Sequence, residues 1–141
     1  MAAMRQRQAV WLATGGTHAA AIFDGDGRVF AMSEDLGRHN ALDKVIGQCL
    51  LAGVPLAGCG TALTSRVTLE MASKAARAGL ELVAAVSAAS SLAIEVTERF
   101  GITLCGFVRN GRATAFTHGR RLLAEDAVPA CGQLCKPLHI A

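Results

Sequence analysis

The sequence predicts a three-layer α/β domain built on a mixed, partly parallel sheet, and two observations predict it. Two strand-like runs are each followed at once by a helix-like run, over Thr61 to Ala78 and over Leu82 to Gly101. Strands joined through a crossover helix lie parallel. On either side of these units stand the turn clusters Asp24-Gly-Asp-Gly27 and Asn110-Gly111, which join antiparallel strands. With 141 residues, a single domain over 1–141 buries its own core without disulfides or metals.

In chain order, Thr17 to Phe23 reads as a strand and Val29 to Met32 as its hairpin partner. Asn40 is the expected cap of a helix whose apolar residues Leu42, Val45, Ile46 and Cys49 recur at helical spacing until Gly53. Thr61 to Thr64 reads as a strand. Ser65 then caps a helix over Val67 to Ala78, which Gly79 ends. Leu82 to Val86 is a continuous apolar run of the kind covered on both sheet faces, and Ser90 or Ser91 caps the helix that follows. Ile102 to Val108 and Arg112 to Thr117 flank Arg109-Asn110-Gly111-Arg112, where Asn-Gly suits a type I′ turn.

Composition narrows the function. A net charge of +3 from scattered basic residues argues against a nucleic-acid surface and favours a small anionic ligand. Tyr is absent and other aromatics are few, so base-stacking platforms are poorly supported. The uncharged stretch between Lys44 and Arg66 is broken by Gly53, Pro55, Gly58 and Gly60, and so reads as a buried helix end, a loop and a strand rather than a membrane span. No export signal opens the chain, which places it in the cytoplasm. Of the cysteines, Cys49, Cys59 and Cys105 lie in apolar runs and read as buried thiols. Cys131 and Cys135, in a polar tail, are the weak candidates for sulfur or redox chemistry.

Charged residues make up 18% of the chain and apolar ones 52%, yet Ser33 to Lys44 gathers eight polar or charged side chains. Such density points to a polar ligand. Arg38, His39 and Asn40 lie at its centre, although His39 taken alone also reads as a hydrogen-bonded loop histidine. His18, at a strand end, is either ligand-facing or half-buried. Parallel strands put ligand sites at their carboxyl ends, where Ser65 and Arg66 precede one predicted helix and Ser87, Ser90 and Ser91 another. Each serine taken singly reads as a cap; together with Arg38 and His39 they suit a phosphate.

Two familiar chemistries are excluded. A zinc deaminase needs His-x-Glu and Pro-Cys-x-x-Cys, whereas this chain has His18-Ala-Ala and Cys131-Gly-Gln-Leu-Cys135. No Gly-x-x-x-x-Gly-Lys-Ser/Thr loop occurs, and no metal site is predicted.

The segments Thr14-Gly-Gly-Thr-His-Ala-Ala-Ala-Ile-Phe-Asp24, Glu34-Asp-Leu-Gly-Arg-His-Asn-Ala-Leu-Asp-Lys-Val-Ile-Gly47, Ser65-Arg66, Lys74-Ala-Ala-Arg-Ala-Gly79, Ala84-Ala-Val-Ser-Ala88, Ser90-Ser-Leu-Ala93 and Gly106-Phe-Val-Arg109 closely resemble the FdhD family of formate dehydrogenase accessory sulfurtransferases. The resemblance runs from about Trp11 to about His118. It implies a cytidine-deaminase-like fold and a cytoplasmic maturation factor. Such a factor passes sulfur from a cysteine desulfurase to the molybdenum bis(molybdopterin guanine dinucleotide) cofactor of formate dehydrogenase. GDP is the natural surrogate ligand, and a homodimer is expected. The family's cofactor-binding segment falls on Phe107, Val108, Arg109, Asn110, Gly111 and Arg112. The family's Cys-x-x-Cys loop precedes the Thr-Gly-Gly-Thr-His segment, and this chain begins only a few residues before it. The resemblance therefore implies the cofactor-binding domain, without the persulfide carrier. The alternatives are a self-sufficient sulfurtransferase using Cys131 and Cys135, and a non-catalytic dimerisation or docking module.

Overall fold

The structure, a computed structural model, describes residues 1–122 and 136–139; Cys131 and Cys135 lie outside the described residues. Two short helices, α1 (Ala2–Gln6) and α2 (Ala9–Thr14), precede the hairpin β1 (His18–Phe23) and β2 (Val29–Asp35). Then come α3 (Arg38–Leu51), β3 (Gly60–Leu63), α4 (Leu69–Ala78), β4 (Leu82–Ala85), α5 (Ser91–Arg99), β5 (Thr103–Arg109), β6 (Arg112–Thr117), a 3-10 turn (Gly119–Arg121) and β7 (Lys136–His139).

These strands form one mixed sheet in the order β2-β1-β3-β4-β5-β6-β7. The central β3, β4 and β5 are parallel, and the flanking pairs are antiparallel. The links β2-α3-β3, β3-α4-β4 and β4-α5-β5 step the same way across the sheet, so the right-handed crossover rule puts α3, α4 and α5 on one face. Their apolar residues form a single core with Ala20, Ile22, Leu63, Val83, Ala85 and Leu104. The alternating residues Ala19, Ala21, Ala84 and Cys105 are buried on the other face. A continuous apolar strand is what a sheet covered on both faces requires.

Turn chemistry explains both hairpins. Asp24 Oδ1 accepts from the backbone N–H groups of Asp26 and Arg28, and Gly27 takes a φ of 79°. At the second hairpin Asn110 and Gly111 have φ of 52° and 70°, the two left-handed residues of the expected type I′ turn. Gly60 is needed for close packing, because a Cβ there would lie 2.6 Å from the Phe23 ring.

Two expected caps are corrected. Helix α3 begins at Arg38 after Gly37, and Asn40 lies inside its first turn, where its amide donates to Asp35 at 3.0 Å rather than capping the helix. Ser65 caps nothing; buried, it donates to the Arg66 carbonyl at 3.0 Å. The chain stays extended through Val67, which bridges to Ala89, so α4 starts only after Thr68. Ser90 does cap α5, accepting from the Ala93 N–H at 3.2 Å, and Gly79 ends α4 with a φ of 79°.

Candidate functional site

Beyond the carboxyl ends of the parallel strands the sheet opens into a pocket of about 470 Å³. Thr64 follows β3, Val86 follows β4, and Val108 and Arg109 end β5, so each strand delivers one part of the floor or rim. Because β1 runs antiparallel to β3, its first residue, His18, arrives at the same end. Asn110 adds the hairpin tip, and Met1, Met4, Arg5, Gln8, Trp11 and Gly15 to Thr17 form the opposite wall. This is the crevice that open α/β sheets offer to ligands.

A bulge aims the end of β5 into the pocket. Pairing with β6 slips between Gly106 and Arg109, and Phe107 takes a φ of 52°, a conformation that strains a bulky side chain. Close approach at Gly106 enforces it: a Cβ there would lie 2.9 Å from the Ser87 carbonyl oxygen, which also accepts from the Phe107 N–H at 3.2 Å. Phe107 itself stays exposed, tilted against Phe116, while Val108 and Arg109 line the pocket.

The lining carries Arg5, Arg109 and His18 and no carboxylate. The Arg5 guanidinium sits 4.1 Å from the centre of the Trp11 ring, a stacked cation–π pair that fixes where the charge stands. Gln8 is only 2% exposed, and its Nε2 makes no hydrogen bond among the described residues. Arrayed cations, an amide and the apolar side chains of Met4, Val86 and Val108 suit an anion that carries an apolar or aromatic part.

The polar segment at Ser33 to Lys44 does not line the pocket; its groups pair partly within the segment and partly with neighbouring elements, and Ser33 Oγ and Arg38 Nε are buried without a hydrogen bond among the described residues. Asp35 accepts from the Gly37 N–H, the Asn40 amide and Lys44, and these bonds hold its carboxyl below the ordinary range. Asp43 pairs with Lys74 of α4 at 2.5 Å, and His39 Nε2 lies 3.3 Å from the Thr68 hydroxyl and 3.8 Å from Glu70. Glu34 accepts from the backbone N–H groups of Val10 and Trp11 and from the Thr17 hydroxyl. Burial pushes its carboxyl up, but the bonds from Thr17, Trp11 and Val10, with a weaker approach of the Gln8 amide, outweigh that and leave it low.

Of the residues expected to bind a ligand, the pocket brings together His18, Val108, Arg109 and Asn110. Arg38, His39, Asn40, Ser65, Arg66, Ser87, Ser90, Ser91, Phe107, Gly111 and Arg112 do not line it. Sequence reading missed the wall contributed by Met4, Arg5, Gln8 and Trp11; the lone tryptophan, just ahead of Gly15-Gly16, was the available signal. Cys49, Cys59 and Cys105 are buried free thiols, and burial raises all three, Cys105 to about 11. No helix among the described residues is long and apolar enough to cross a membrane.

The chain is similar to several known proteins. The sulfur carrier protein FdhD of Thermoplasma acidophilum is 48% identical over 121 residues, covering 86% of this chain and 43% of the relative. That of Shewanella oneidensis is 53% identical over 112 residues, covering 78% and 39%. The chain thus spans less than half the length of these curated relatives. A Desulfotalea psychrophila protein, whose crystal structure carries the description of a formate dehydrogenase accessory protein, superposes with a TM-score of 0.78 at 32% identity, over 86% of this chain and 51% of that one. A deaminase/reductase of Thermotoga maritima shares the fold alone, with a TM-score of 0.55 at 18% identity over 73% of this chain and 35% of that one. The model of the FdhD/NarQ family matches residues 1–123, and the chain belongs to that family.

Proposed function

We propose that this chain supports formate dehydrogenase maturation by binding the guanine-nucleotide arm of the molybdenum bis(molybdopterin guanine dinucleotide) cofactor, in the cytoplasm, while sulfur from a cysteine desulfurase is delivered to it. The observation that carries this reading is the pocket lining: Arg5, Arg109 and His18 face the same space with no carboxylate among them. A pyrophosphate needs such an arrangement, since cations and N–H donors stabilise its charge and any acidic neighbour would repel it. A volume of about 470 Å³ lies within the range of small-molecule sites. Trp11, Met4 and Val86 give a base an apolar surface. The relatives are sulfur carriers by name, and the solved neighbour bears the description of an accessory protein of formate dehydrogenase. The cofactor would bring the acceptor metal, and the residues named here would hold and orient its nucleotide.

The described cysteines favour binding over sulfur carriage. A persulfide carrier needs an ionised, accessible thiol, and Cys49, Cys59 and Cys105 are buried with raised pKa values. Calorimetry with GDP tests the reading. The expected dissociation constant is micromolar, on the order of 8 kcal/mol, and absence of heat at millimolar GDP would refute it. Arg109→Ala should weaken binding about tenfold or more, because a charge-assisted bond is lost. After incubation with a desulfurase and cysteine, the chain should take up little sulfur; a stoichiometric gain of about 32 Da on Cys131 or Cys135 would establish a self-sufficient carrier instead.

A further inference from the structure

We propose that Glu34 is the positioning residue of the pocket: reaching from β2, its carboxylate seats α2, and with it Trp11 and Arg5, as the wall facing the strand ends. This rests on the reading of the pocket as a ligand site.

Helix α2 has little else to hold it. None of its six residues is buried, and a helix that short does not persist in water unless something anchors it. Its cap residue, Gln8, makes no side-chain cap bond, and while the Ala9 N–H donates to the Arg7 carbonyl at 3.1 Å, the Val10 and Trp11 N–H groups have no local partner. Glu34 supplies one from 23 and 24 residues away. Oε1 accepts from the Val10 N–H at 3.1 Å, and Oε2 accepts from the Trp11 N–H at 2.9 Å and the Thr17 hydroxyl at 2.7 Å. A negative charge at a helix N-terminus is favourable in itself, and charged acceptors make the stronger bonds. Met4 within α1 and Gln8 at the joint between α1 and α2 are buried, so the packed part of the wall ends where the Glu34 bonds begin.

Glu34 is itself held from behind. Lys44 Nζ donates to the Glu34 carbonyl at 2.7 Å and to Asp35 Oδ2 at 3.2 Å, while Asp35 also takes the Gly37 N–H and the Asn40 amide. The polar segment, which does not line the pocket, thus acts on it as a strut. Gly37, Asn40 and Lys44 fix the end of β2, and Glu34 carries that rigidity across to the wall.

The test compares Glu34→Gln and Glu34→Ala with the wild type, using acrylamide quenching of Trp11, the chain's single tryptophan, alongside GDP titration. The expected result is a quenching constant that about doubles without ligand and a GDP affinity about tenfold weaker, as the wall leaves its seat. Unchanged quenching in both variants would overturn the proposal, whatever the affinity does. The quenching arm needs no ligand, so a wild type that ignores GDP refutes the pocket reading while the wall is still tested. If both variants fail to fold, hydrogen exchange of the wild type decides. The Val10 and Trp11 amides must then exchange at least about tenfold more slowly than in a free peptide, and free-peptide rates would overturn the proposal.

Discussion

The helical layer and the pocket wall are built from the same kind of element and held by opposite means. Helix α3 buries Ala41, Leu42, Val45 and Cys49, and α4 buries Met71, Ala72 and Ala75, all in one core with the sheet. Helix α2 buries nothing; two of its N–H groups, with the Thr17 hydroxyl just beyond it, bond to a single carboxylate. Apolar burial is non-directional and sums over many contacts, so the layer is robust; a few directed polar bonds specify position without adding much stability. The scaffold and the site wall therefore respond to different perturbations.

The widest separation should come from leucines. Leu42, fully buried on α3, should cost about 2–5 kcal/mol when cut to alanine, read as a lower urea midpoint. A somewhat smaller effect is expected from alkali. Cys105 is raised from an ordinary 9.0 to about 11, so the unfolded chain ionises first and the native state resists. Its contribution is constant below pH 9 and is lost as pH rises from 9 to 11, by an amount on the order of 3 kcal/mol. Urea titrations at stepped pH should show that fall, with part of it abolished in Cys105→Ala. Next, Ser90→Ala removes the cap of α5 and should cost about 1 kcal/mol in the same measurement. The least effect is expected on the other side of the comparison. Leu12 of α2 is 62% exposed, and Leu12→Ala should stay within about 0.5 kcal/mol of wild type. A large loss there would mean that α2 belongs to the scaffold after all.

What could be read from the sequence follows the same division. Periodicity and turn residues announced the hairpins, the parallel core and helices α3 to α5, because each is a run long enough to show an apolar face. Helices α1 and α2 passed unseen, being five and six residues long and lacking such a face. Asn40 and Ser65 misled because a cap-like residue shows only that a side chain can bond locally. Asp35 claimed the first and the Arg66 carbonyl the second. At the site, His18, Val108, Arg109 and Asn110 were legible from the strand-end rule and the matched motifs. Arg5, Gln8 and Trp11 were not: Gln8 is placed by burial, and Trp11, on which Arg5 stacks, makes a bond to Glu34 that no local pattern records.

The pocket draws its lining from Met1 to Asn110, so none of it exists until both ends of that span have met across the sheet. A molecule that occupies it binds the folded chain and finds no equivalent in the unfolded one. Occupancy then becomes a folding force: at a hundred times its dissociation constant a ligand adds about 2.7 kcal/mol to the native state by mass action alone. The melting temperature of this chain is thus a ligand detector in its own right, a way to screen guanine nucleotides and other anions against the pocket with no label and no assay of sulfur.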